Sequence, residues 1–190
     1  MRLFVGIPLA DKVVGELTAL VVRLRPAAAN LRWSKAESWH ITLQFLGNAN
    51  EEQLQCLTAR LAEVRCAPVR VELRELGAFE RTGVFFADVA VTPGLAALQE
   101  QVVAMTSRCG FVAEARPFHP HITLARKAGS ERAREPGSKN ARADGVRDLL
   151  ASNDTRKFSR FTAKEFLLYE SHLGSEGSRY EVRARFPLGW

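Results

Sequence analysis

The tetrapeptide His-Ile-Thr-Leu occurs at His40 to Leu43 and again, letter for letter, at His121 to Leu124. Any one histidine has a threonine two residues on with odds of roughly one in twenty from composition alone, so a single pair means little. Two identical copies restrict the fold much more. In an extended strand successive side chains point to opposite faces, so His40 and Thr42 share one face and His121 and Thr123 share another. Each copy therefore presents an imidazole and a hydroxyl side by side.

The flanking residues support the strand reading. Trp39, Ile41, Leu43 and Phe45 alternate with His40, Thr42 and Gln44, the pattern of a strand with one face in the core. Trp39 and Phe45 fall on the apolar row and are expected to be buried. In the second copy Phe118, Pro120, Ile122 and Leu124 lie on one side, while His119, His121, Thr123 and Ala125 lie on the other. Pro120 has no N–H for a ladder, so it marks a strand start or an edge.

The rest of the chain alternates helical and extended signals. Leu3 to Ile7 reads as a buried strand ended by Pro8, and from Asp11 the apolar residues Val13, Val14, Leu17, Leu20, Val21 and Leu24 recur at helical spacing until Pro26. Leu31 to Trp33 reads as a brief strand, and Ser34 to Glu37 has the form of a capping box with room for only a turn. After Gly47, Asn50 can cap a helix whose buried face is Leu54, Leu57, Leu61 and Val64. Val69 to Leu73 and Val84 to Val91 are β-rich, and a helix follows Pro93 with Gly110 as its stop. Lys127 to about Gly145 has almost no apolar residue and is expected to form a mobile basic loop, with Val146 to Leu150 a short helix. Phe158 to Tyr169 and Tyr180 to Phe186 then close the chain as a hairpin around Gly174 to Gly177. Antiparallel sheets with helices packed on one face, arranged as two similar lobes, fit this order, giving an α+β class.

At 190 residues, 46% hydrophobic and 25% charged, the chain has the make-up of an ordinary globular protein with a substantial core. No stretch reaches the roughly 18 to 20 apolar residues of a membrane span, and Pro8 and Asp11 interrupt the N-terminal apolar run, so a cytoplasmic location is expected. Cys56, Cys66 and Cys109 are odd in number and show no Cys-x-x-Cys pair and no zinc spacing with histidine, and Cys56 and Cys66 are read as reduced structural residues. A net charge of +6 favours a polyanionic partner such as RNA.

Two His-x-Thr strands suit phosphodiester chemistry. Cleavage needs a base for the nucleophile and an acid for the leaving oxygen, roughly in line across phosphorus, and two imidazoles on opposite walls of a cleft supply both. Thr42 and Thr123 are placed to donate to non-bridging phosphate oxygens. The arrangement requires no metal and no cofactor. Residue types alone leave open which histidine is the acid. Strand parity puts Arg126 opposite His121, unless the strand twists, bulges or ends there. His119 and His121 form a His-x-His pair that could bind a metal, though no third ligand is evident, and His119 is read as a rim residue; His172 is read as part of a hairpin.

The stretches Arg32 to Gly47, Arg116 to Arg126 and Leu168 to Leu173, with the opening Leu3 to Pro8 and the final Arg179 to Val182, resemble the RNA 2′,3′-cyclic phosphodiesterase family, also called 2′-5′ RNA ligases, of the 2H phosphoesterase superfamily. The resemblance covers nearly the whole chain except the Lys127 to Lys157 region. It implies a single bilobal domain over residues 1–190, with two pseudo-symmetric antiparallel sheets, one motif in each, and helices on their outer faces. It implies hydrolysis of a 2′,3′-cyclic phosphate at an RNA end to a 2′-phosphomonoester, with His40 as proton donor and His121 as acceptor. Arg126 matches an arginine that the family uses at the phosphate. Some members join tRNA half molecules through a 2′-5′ linkage. No obligate protein partner is implied. Other readings are a 2H enzyme acting on 2′-5′ oligoadenylate or a cyclic nucleotide metabolite, and a non-catalytic module that holds RNA ends.

Overall fold

Strand β1 (Arg2–Pro8) is buried on both faces from Leu3 to Ile7, as a central strand must be. The computed structural model describes residues 1–28, 30–127, 158–174 and 177–189. The expected basic loop and short helix between 128 and 157 lie outside the described residues. β1 is followed by helix α1 (Asp11–Leu24), which buries Val13, Leu17, Leu20, Val21 and Leu24, the face read from spacing.

Further along lie β2 (Leu31–Trp33), β3 (His40–Asn48), α2 (Glu51–Leu61), β4 (Val69–Val71), β5 (Leu73–Phe79) and β6 (Val84–Val89). Then come α3 (Pro93–Ser107), β7 (His121–Lys127), β8 (Phe161–Ala163), β9 (Glu165–Gly174) and β10 (Gly177–Pro187). One sheet runs β10-β9-β1-β3 and the other β2-β7-β6-β5, with β4 and β8 as a separate pair, and every pairing is antiparallel. This is the expected α+β arrangement of two four-stranded sheets, each carrying one motif strand. A continuous buried apolar cluster draws on both sheets and all three helices.

Helix starts follow local chemistry. Asn50 accepts from the Gln53 amide at 2.8 Å while the Gln53 side chain accepts from the Asn50 amide at 3.1 Å, so two orphan donors are satisfied reciprocally. Thr92 accepts from the Leu95 amide and Pro93 takes the first helical turn of α3. The Ser34 to Glu37 box does not form: a one-turn 3-10 segment, Ala36–Ser38, starts after Lys35 with no side-chain cap.

Both motif strands carry an extra residue at the same place. In β3 the partners of Gly6 and Val5 on β1 are Thr42 and Gln44, leaving Leu43 unmatched. In β7 the partners of Phe86 and Phe85 on β6 are Thr123 and Ala125, leaving Leu124 unmatched. Each bulge turns two consecutive residues inward. Leu43 and Gln44 are 3% and 4% exposed, and Leu124 and Ala125 are wholly buried. Strict alternation therefore fails beyond the bulge, and the placement of Phe45 is corrected: it is 53% exposed. Gln44, read as polar and outward, is buried and accepts from the Thr106 hydroxyl of α3 at 2.7 Å. Ala125 likewise leaves the His121 face for the core. Trp39 is buried as expected.

Close approach explains two glycines. A Cβ on Gly6 would lie 2.9 Å from the Ile41 carbonyl oxygen and 3.3 Å from the His40 ring, and one on Gly77 would lie 2.6 Å from the Phe86 ring. The Ile41 carbonyl belongs to the backbone of β3 and cannot shift without disturbing that strand, and the Phe86 ring packs 5.2 Å from that of His121.

The cysteines also depart from expectation. Cys56 of α2 and Cys109, just beyond α3, form a disulfide, because the two helices pack together and bring residues 53 apart in sequence to a Cα separation of 5.8 Å. Cys66 remains a thiol, and burial pushes its pKa up. Among the described residues no helix is long and apolar enough to cross a membrane. Closing a loop of that length is worth up to about 4 kcal/mol in the chain-entropy account. Reduction of the wild-type protein is expected to lower its melting temperature and to leave a Cys56→Ser/Cys109→Ser variant unchanged; a melt indifferent to reductant contradicts the bond.

Candidate active site

β3 and β7 lie against one another, and their outward residues open into a single cleft of about 1300 Å³. His40, Thr42 and Phe45 enter it from one strand, and His121, Thr123 and Arg126 from the other. All five side chains singled out from the motifs are thus brought together. Arg126 reaches this face because the unmatched Leu124 reverses the parity that would have turned it away. The same reversal puts Phe45 at the position in β3 that Arg126 holds in β7, five residues after each motif histidine.

The rings are fixed in the same way in both strands. His40 Nδ1 donates to the Ser38 carbonyl at 2.8 Å, and His121 Nδ1 donates to the His119 carbonyl at 2.8 Å. A carbonyl only accepts, so the proton of each neutral ring sits on Nδ1 and Nε2 keeps its lone pair. His40 Nε2 accepts from the Thr42 hydroxyl at 3.1 Å. Each imidazole thus binds the backbone through Nδ1 and leaves Nε2 able to accept a proton.

Aromatic rings bed the imidazoles. His40 lies 4.6 Å from Phe4 and edge-on to Tyr180 at 5.1 Å, with Tyr169 stacked on Phe4 at 4.8 Å. His121 lies 5.1 Å from Phe79 and 5.2 Å from Phe86. Tyr169 and Tyr180 come from the terminal hairpin, and no local signal near the motifs points to them. Only the pairing of β9 with β1 delivers them.

Burial sets the electrostatics. It drives the His40 pKa down to about 4 against the opposing Ser38 carbonyl, with the charges of His121 and Arg126 adding to the drop. His121 is lowered too, chiefly by burial; its bond to His119 and the Asp88 carboxylate oppose that, while His119 and Arg126 reinforce it. Burial therefore favours the neutral form of both rings. Burial pushes Tyr169 up to about 12, so its phenol stays protonated.

His119 sits at the rim, half exposed, and meets the Asp88 carboxylate at 2.9 Å. Among the described residues no group of three or more His, Cys, Asp or Glu side chains is placed to hold a metal ion. His172 lies outside the cleft, next to Glu181 at 3.3 Å and Glu170 at 4.0 Å.

The chain is similar to known proteins over nearly its whole length. A Geobacillus stearothermophilus protein named RNA 2′,3′-cyclic phosphodiesterase is 30% identical over 97% of the chain, which spans only 56% of that relative. An Escherichia coli K12 protein of the same name is 29% identical over 98% of the chain and 96% of its own length. The crystal structure of E. coli LigT complexed with 3′-AMP superposes with a TM-score of 0.75 at 25% identity, covering 100% of this chain and 98% of that one. The family model of the 2′-5′ RNA ligase superfamily matches residues 12–174. That span runs from the first helix to the end of β9 and takes in both histidine strands, and the chain belongs to the 2′-5′ RNA ligase superfamily.

Proposed function

We propose that the protein hydrolyses 2′,3′-cyclic phosphate ends of RNA to 2′-phosphomonoesters by transferring protons between His40 and His121. The observation that carries this reading is the matched pair of Nε2 atoms, each with its Nδ1 on a carbonyl, facing one cleft. Ends carried by tRNA fragments fall within this substrate class.

Water attacks phosphorus and gives its proton to His121 Nε2. The P–O3′ bond breaks, and the departing 3′ oxygen takes the proton from His40 Nε2, leaving a 2′-phosphate and a 3′-hydroxyl. His40 begins charged and ends neutral, His121 does the reverse, and exchange with solvent resets both. Arg126 and the two threonine hydroxyls hold the non-bridging oxygens. Protonation of His40 Nε2 turns it from acceptor to donor, which releases the Thr42 hydroxyl hydrogen for a phosphate oxygen.

A histidine of pKa about 4 is a poor reservoir of protons at neutral pH. The substrate corrects this, since an anion within about 4 to 6 Å raises a neighbouring pKa by roughly 1 to 3 units. The phosphate thus recruits the proton that its own cleavage consumes.

Phe45 offers an apolar face at the cleft, 6.0 Å from Phe4, against which a nucleobase can stack.

Three outcomes check the reading. With EDTA present, His40→Ala and His121→Ala are each expected to lose at least about 10²-fold in turnover of a cyclic-phosphate RNA end, and undiminished turnover in either refutes the mechanism. kcat/KM reports the free enzyme, where both rings titrate below 6.5, so it is expected to peak under that pH and fall about tenfold per unit above it. A plateau through pH 8 contradicts the assignment of the acid. Phe45→Ala is expected to raise KM severalfold with little change in kcat; equal KM in both proteins removes the stacking role.

A further inference from the structure

Arg32 stands directly across from Arg126 in the pairing of β2 with β7. Residues opposed in an antiparallel ladder share a face, so both guanidinium groups project into the same cleft. Like charges so placed repel. Arg60, Arg108, Arg160, Arg183 and Arg185, none of which lines the cleft, each pair with a glutamate. Neither Arg32 nor Arg126 has an ion-pair partner among the described residues.

From this we infer that Arg32 binds a second phosphate of the substrate, the one on the 5′ side of the terminal nucleoside. The inference rests on the RNA-end reading above. A cyclic phosphodiester carries one negative charge, and Arg126 with a protonated His40 already exceeds it. A second guanidinium facing the same anion adds repulsion without a charge to offset. The nearest further anion on an RNA end is the next phosphate of the strand, and β2, the edge strand of its sheet, holds Arg32 one strand beyond Arg126. A planar guanidinium suits that group and reads no base, so the contact selects for chain length rather than sequence.

The test compares two nucleoside 2′,3′-cyclic phosphates that differ only in carrying a 5′-hydroxyl or a 5′-phosphate. Wild type is expected to show a higher kcat/KM on the 5′-phosphorylated compound. Arg32→Ala is expected to lose about tenfold on that compound, through KM, and to stay within twofold of wild type on the other, which also shows that the variant is folded. Arg32→Lys is expected to recover part of the loss. On the phosphorylated substrate KM is expected to rise less steeply with salt in Arg32→Ala than in wild type. Equal loss on both substrates makes Arg32 a contact of the cleaved phosphate and overturns the proposal, as does no loss on either. If wild type cleaves neither compound, the activity reading fails; affinity for the 2′-phosphorylated nucleosides with and without a 5′-phosphate then decides the Arg32 contact, and an undiminished preference in Arg32→Ala overturns it.

Discussion

The unmatched leucine that follows each motif threonine, Leu43 and Leu124, shapes everything around it. Up to Leu43 and Leu124 the strands alternate strictly, placing histidine and threonine outward and isoleucine inward. At the bulge two residues turn inward together, and the strand resumes with its faces exchanged. Without that step Arg126 would lie under the sheet, an unpaired charge in the core, and Phe45 would be one more apolar residue beside Leu43. The Arg126 and Phe45 side chains both reach the cleft through a single irregularity, made twice.

The core supports this at some cost. Gln44 is carried inward by the bulge, where its Nε2 finds no hydrogen-bond partner. Its Oε1 accepts from Thr106, itself wholly buried at the end of α3. An unsatisfied buried amide costs about 1 to 3 kcal/mol, so the bond from α3 offsets only part of what the bulge imposes. The disulfide from α2 lands three residues after Thr106, fastening the same end of α3. The region behind the His40 strand is thus braced from two helices.

Much of this was legible in the residues. Helical spacing in α1, the cap at Asn50, the strand character of both motifs and the shared face of each histidine with its threonine are local properties, and they survive folding unchanged. Period-two reasoning broke at Gln44, Phe45 and Ala125, because no glycine or proline marks a bulge there and the extra residue is an ordinary leucine. Arg126 was legible as an arginine of the right family position but not as a residue of the right face. Tyr169 and Tyr180 depend on how the last hairpin pairs with β1, and Cys56 with Cys109 on how two helices pack. Contacts between distant segments leave no pattern in either segment alone.

The two halves of the cleft repeat the same backbone device yet end it with unlike side chains, a phenyl ring on one and a guanidinium on the other. Perfect duplication would let a ligand lie either way round, with the two imidazoles exchanging tasks on each visit. The mismatch gives the groove a head and a tail. A ligand with one charged end and one flat apolar end would meet the wrong side chain if it were turned around, so the groove tells the two orientations apart.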